Sequence, residues 1–127
     1  MQKIFLATFF GVFLLISACE KTTPNNNNYL DQADCTGIDA NTNTYTNTIK
    51  AIMDSNCALS GCHGFGSAEA NVDLSTYGKT KTAFENTECL CSIHHGDGCT
   101  PMPDGGAKLS NLAIQRIDCW AKNGYKE

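Results

Sequence analysis

Cys57-Ala58-Leu59-Ser60-Gly61-Cys62-His63 is the stretch on which the reading of this chain turns. Two thiols followed at once by an imidazole form the residue set that fixes a covalent haem. The sulfurs take the two vinyl groups, and the histidine meets the iron from one face. Four residues separate the cysteines where the usual attachment motif has two. Gly61 favours a tight path into Cys62, so the extra residues can bulge outward. Two other readings stand beside this one. Cys57 and Cys62 would form a disulfide in an oxidising compartment, leaving His63 at the surface. Alternatively, Cys57, Cys62 and a histidine would hold zinc, although the short paired spacings of zinc modules are missing.

Working outward, a helix is expected before the motif. Tyr45, Ile49, Ile52 and Met53 fall on one stripe, with Thr44 or Thr46 as its cap. After the motif comes a glycine-bearing loop, Gly64 to Asn71. A short helix capped by Ser75 follows and runs through Phe84. A loop rich in Cys, Gly and Pro spans Glu88 to Gly106. Ser110 caps a last helix with Ala113, Ile117, Trp120 and Ala121 on its apolar stripe. Leu112 and Ile114 flank that stripe, and Asn123-Gly124 closes it. No segment alternates as a strand does, so the class is all-α with long loops. Such a small domain has a thin core and calls for a staple or a cofactor.

In the second loop, Thr100-Pro101-Met102-Pro103 offers a thioether between two prolines that restrict the backbone. Met102 is therefore the expected second iron ligand, a soft neutral donor suited to electron transfer. His94 and His95 are its rivals.

The N-terminus sets the compartment. Lys3 precedes an apolar run from Ile4 to Ile16, too short to span a bilayer comfortably, and Ser17-Ala18-Cys19 follows. This resembles the bacterial lipobox, which implies cleavage before Cys19 and a lipid on its thiol. An ordinary secreted protein cleaved after Ala18 is the alternative. Residues 1–18 are thus read as a lipoprotein signal peptide and 19–44 as the lipidated cysteine and a polar tether; 45–127 form the domain. The tether contains Thr22-Thr23-Pro24 and the run Asn25 to Asn28, with no apolar period. In the 127-residue chain, 9 basic side chains face 13 acidic ones, which argues against a nucleic-acid partner.

The segment from Tyr45 to Gly124 resembles the class I c-type cytochrome domain. It is most similar to small lipoprotein cytochromes of Bacteroidetes-type bacteria. The resemblance rests on Asn56-Cys57, on Ser60-Gly61-Cys62-His63-Gly64, on Pro101-Met102-Pro103 with Gly105-Gly106, and on Leu109-Ser110 opening a helix that contains Trp120. It implies a bundle of three or four helices wrapped round one haem c, with the first and last helices crossing. Cys57 and Cys62 would carry the thioethers, and His63 and Met102 would ligate iron.

Lipid and haem would use Cys19, Cys57 and Cys62, leaving five of the eight cysteines, an odd number. Cys89 or Cys91 can reach Cys99, and the Cys91–Cys99 pair is favoured because it clamps the loop before Met102. Cys35–Cys119 would tie the tether to the last helix. The function expected on this basis is that of an electron carrier, with no enzymatic step. It would be anchored in the bacterial envelope by lipid, on the outer membrane or facing the periplasm. It would exchange single electrons with other envelope redox proteins. Two further classes are a haem sensor or peroxidase, if Met102 does not hold the iron, and a haem-free, disulfide-stapled lipoprotein acting as a binding or structural module.

Overall fold

The computed structural model describes residues 26–127. The signal segment, Cys19 and the start of the polar tether lie outside the described residues. Within them the chain is all-α: α1 (Asn26–Gln32), α2 (Lys50–Asn56), α3 (Tyr77–Asn86), α4 (Cys89–His94) and α5 (Asn111–Lys122), with no strand. A π-helical turn, Tyr45–Ile49, leads directly into α2, and a 3-10 turn, Glu69–Asn71, lies between α2 and α3.

The helix starts follow local chemistry. The Thr44 hydroxyl accepts the Asn47 N–H at 3.4 Å, and the Ser110 hydroxyl accepts the Ala113 N–H at 3.2 Å. Each satisfies a donor that a first helical turn leaves unpaired. Helix α3 begins after Thr76, not after Ser75, because Ser75 is taken by Asp73. The Asp73 carboxylate accepts both the Ser75 N–H and its hydroxyl, closing a turn just before the helix. At the far end of α5, Gly124 adopts φ +82°, and its N–H reaches the Ala121 carbonyl at 3.0 Å.

The core forms where α2, α3, α4 and α5 turn their apolar faces together. Ile49, Met53, Leu90, Ile117 and Trp120 are completely buried, and Phe84 nearly so. Each such side chain contributes roughly 1.5–3 kcal/mol by leaving water. Trp120 is the hub: Phe84 and Tyr125 meet it edge-on, with ring centres 6.0 and 4.9 Å away. Its indole N–H donates to the Lys126 carbonyl at 2.7 Å, and the same carbonyl accepts the Tyr45 N–H at 2.9 Å. The first and last parts of the core are thus pinned to one backbone oxygen.

Two helices stand where the sequence pointed to irregular chain. In the polar segment, α1 docks on the domain. Asn26 is buried and donates from Nδ2 to the Phe84 and Thr87 carbonyls at 2.8 and 3.0 Å, while Tyr29 and Leu30 pack against the core. Within the Glu88–Gly106 loop, α4 buries Leu90 and Ile93, one helical turn apart.

Candidate functional site

Cys57 closes α2: its N–H reaches the Met53 carbonyl at 2.9 Å, and its side chain is half-buried against the core. The chain then doubles back. Cys62 and Gly64 donate to the Leu59 carbonyl at 3.0 and 3.1 Å, and His63 donates to the Cys57 carbonyl at 3.1 Å. Gly64 is required here, because a Cβ would lie 2.7 Å from the Ala58 carbonyl oxygen and 2.8 Å from that of Leu59. The turn leaves Cys62 exposed and brings it back beside Cys57. Both are free thiols, so the disulfide reading of this pair does not describe the chain as it stands. Cys89, half-buried, is the third thiol of the cluster, and its sulfur lies 3.0 Å from the Thr87 hydroxyl. Burial, then the nearby thiols of Cys89 and Cys62, push the Cys57 thiol up to about 11.

One ring nitrogen of each of the three histidines is engaged locally. His63 donates from Nδ1 to the Val72 carbonyl at 2.9 Å. His95, at φ +55° where α4 ends, donates from Nε2 to the Met102 carbonyl at 3.0 Å. His94 meets both oxygens of Asp118 through Nε2, at 3.0 and 2.9 Å, and its ring stacks against Tyr29 with centres 4.6 Å apart. Burial raises the Asp118 carboxyl, and the His94 hydrogen bond opposes that shift. Met102 is half-buried, and its N–H donates to the Ser92 carbonyl at 3.0 Å.

This arrangement corrects the haem reading. Among the described residues no group of three or more His, Cys, Asp or Glu side chains converges as a metal site requires. The core that Cys57 packs against is closed by Met53, Leu90 and Trp120, all fully buried. Two grooves, one between α1, α4 and α5 and one beside α3, are lined neither by Cys57, Cys62 or His63 nor by Met102. The thioether roles of Cys57 and Cys62, the iron-ligand roles of His63, Met102, His94 and His95, and the single-electron carrier function built on them are withdrawn together. So is the resemblance to the c-type cytochromes. The sensor, peroxidase and zinc readings fall for the same reason.

Two disulfides are present instead. Cys35 is joined to Cys119 across 84 residues, and Cys91 to Cys99 across 8. Around them lies the larger groove, about 560 Å³, between α1, α4 and α5, with Tyr29, Asp34, His94, Lys108, Leu112 and Asp118 among its walls. Side chains of α5 hold its rim. Gln115 donates to the Asp34 carbonyl at 2.8 Å and Lys122 to the Ala33 carbonyl at 3.0 Å. Lys108 donates to the His94 carbonyl at 2.6 Å. Leu112, half-exposed at 50%, leaves an apolar spot in this polar frame.

Sequence reasoning missed the His94–Asp118 pair and the groove. The one available signal was Asp118 itself, a carboxylate set in the apolar run Ile117 to Ala121, where a charge needs a partner. No family model matches the chain, and neither curated proteins nor solved structures provide a match.

Proposed function

We propose that the chain is a disulfide-stapled lipoprotein of the bacterial envelope that acts as a binding module, presenting the groove between α1, α4 and α5 to a protein partner. The observation that carries this reading is where the two bridges fall. Cys35 follows Asp34 of the groove wall and Cys119 follows Asp118; Cys91–Cys99 closes the segment next to His94. The chain just after α1 is therefore covalently tied to α5, and the segment that follows α4 is closed on itself. A wall held in its bound shape loses less freedom on association, so affinity rises without new contacts. The mixture of an aromatic face, a half-exposed leucine and anchored polar groups suits a protein surface, in which a small apolar centre is rimmed by hydrogen bonds.

Residues 1–18 serve as the signal peptide in this reading, and Cys19 carries the lipid. The polar stretch between Cys19 and α1 gives the domain reach. Disulfides are favoured in the same compartment to which such a signal delivers a protein. No nucleic acid is expected as a partner, and no catalytic step is assigned to the groove.

A photoreactive side chain at position 112, compared with one at position 50 on the exposed side of α2, tests the reading in intact cells. A discrete cross-linked product from position 112 alone is expected, and it should disappear after reduction of the bridges. Equal labelling from both positions would show a structural spacer instead of a binding face. Loss of fatty-acid labelling in Cys19→Ser checks the anchor separately.

A further inference from the structure

Among the described residues, the three thiols that the bridges leave over are not scattered. Cys62 is exposed, and the His63 N–H beside it donates to the Cys57 carbonyl at 3.1 Å, returning the chain to the end of α2; Cys89, from the start of α4, and Cys62 are both near enough to act on the Cys57 thiol. The turn between them holds its shape by backbone alone. The Cys57 carbonyl accepts the His63 N–H, the Leu59 carbonyl accepts two N–H groups, and Gly61 takes φ +80° to let the chain return. Three residues to either side of the exposed thiol along the chain stands a large, exposed apolar side chain. Leu59 is 43% and Phe65 87% exposed, and the Lys79 ammonium lies 5.6 Å from the Phe65 ring centre. An exposed thiol with a second one behind it, set in an apolar rim, is the arrangement that thiol–disulfide exchange needs: one sulfur to enter, one to resolve, and a surface to seat the chain carrying the bond.

We propose that Cys62 and Cys57 are a thiol–disulfide exchange pair, Cys62 entering and Cys57 resolving, whose substrate is a solvent-exposed disulfide in a polypeptide segment with apolar neighbours. The Cys62 thiolate attacks one sulfur of that disulfide. The S–S bond breaks, the other substrate sulfur leaves as a thiolate and takes a proton, and a mixed disulfide remains on Cys62. Cys57 then gives its proton to water and attacks the Cys62 sulfur, releasing the second substrate thiol. Two electrons and two protons pass from the pair to the substrate, and a Cys57–Cys62 disulfide is left. The order follows from access. Cys57 is screened by the core, and its raised thiol is a poor first nucleophile, but it becomes an intramolecular one once Cys62 is linked. The His63 ring, next in sequence to the entering thiol, is fixed by its Nδ1–H on the Val72 carbonyl. This activity does not depend on the groove between α1, α4 and α5.

The test uses the full chain in detergent, exposed to glutathione disulfide and quenched in acid. The cysteine peptides are then identified by mass. Wild type is expected to end as the Cys57–Cys62 disulfide, with glutathione found only transiently on Cys62. In Cys57→Ser the glutathione adduct on Cys62 should accumulate, on the order of tenfold or more, because the high effective concentration of the resolving thiol is gone. Intact Cys35–Cys119 and Cys91–Cys99 peptides in the same digest show that the variant is folded. Glutathione arriving first on Cys57 or Cys89 overturns the proposal. So does a Cys62 adduct equally persistent in wild type and variant. For the substrate class, Phe65→Ser should lower the rate with a peptide disulfide flanked by leucines relative to the rate with glutathione disulfide. An unchanged ratio overturns the polypeptide assignment.

Discussion

Two regions of this small bundle are held by different means. On the α1–α4–α5 side, covalent bonds and side-chain hydrogen bonds fix the chain, and every described cysteine except Cys89 is paired. On the stretch from Cys57 to Asn71, two thiols are free and Phe65 stands in solvent. Here the backbone takes positive φ at Ala68, Ala70 and Asn71. Side chains other than glycine adopt that region at a cost, and they keep it only where the surrounding turn fixes it. In a chain of one composition and one compartment, the comparison separates two uses of cysteine. Where the thiols are bonded they make a shape durable. Where they are left free, Cys62 reaches solvent while Cys57 is half-buried, on a turn held mainly by backbone hydrogen bonds.

The strongest way to break the contrast is to remove the long bridge. Cys35→Ser should lower stability by roughly 4–5 kcal/mol, the chain-entropy value for the 84-residue separation. Urea midpoints under non-reducing conditions check it. Cys99→Ser, which opens the 8-residue loop, should cost about 2.5 kcal/mol by the same relation. If the two variants were equally destabilised, loop length would not be the source of the stapled side's strength. Gly64→Ala sharpens the other half. Its Cβ meets the Ala58 and Leu59 carbonyl oxygens, so the thiol turn must open at a cost of about 1–3 kcal/mol. Alkylation of Cys57 should quicken in that variant while both bridges persist.

The smallest effect concerns acid. The Lys79 hydrogen bond, followed by those of Ser75, holds the Asp73 carboxyl down at about 2. A carboxyl lowered in the fold stabilises it above its unfolded value, near ~3.9, and that contribution is lost as pH falls through about 2. The pair is solvent-exposed, so the loss is small. Asp73→Asn should flatten the acid limb of the melting profile between those values and leave neutral pH almost unchanged.

The sequence carried the helices whose stabilisation is local. Thr44 and Ser110 mark the two starts, and Ile49, Met53, Ile117 and Trp120 recur at helical spacing and are buried. Helix α1 was invisible because its hold is distant: Asn26 reaches carbonyls 58 and 61 residues away, and an asparagine run has no apolar period. Helix α4 has six residues and only two buried apolar side chains, too few to stand out from a loop rich in cysteine and glycine. Both bridges could be chosen from spacing and position. The haem reading failed because it took Cys62 and His63, neighbours along the chain, as evidence for a cofactor cavity. A metal site depends on which side chains the rest of the chain brings together, and here Cys57 packs against a core in which Met53, Leu90 and Trp120 are fully buried, with no converging group of ligands among the described residues.

The Cys35–Cys119 bond also determines how the domain carries tension. A pull on the chain ahead of α1 runs through that short helix to Cys35, crosses the sulfurs, and enters α5 next to Trp120. The segments from Ile38 to Asp118 lie off this line of force. Tugging can therefore peel α1 from its asparagine latch, while the hub of the bundle rides on α5 with its packing unloaded.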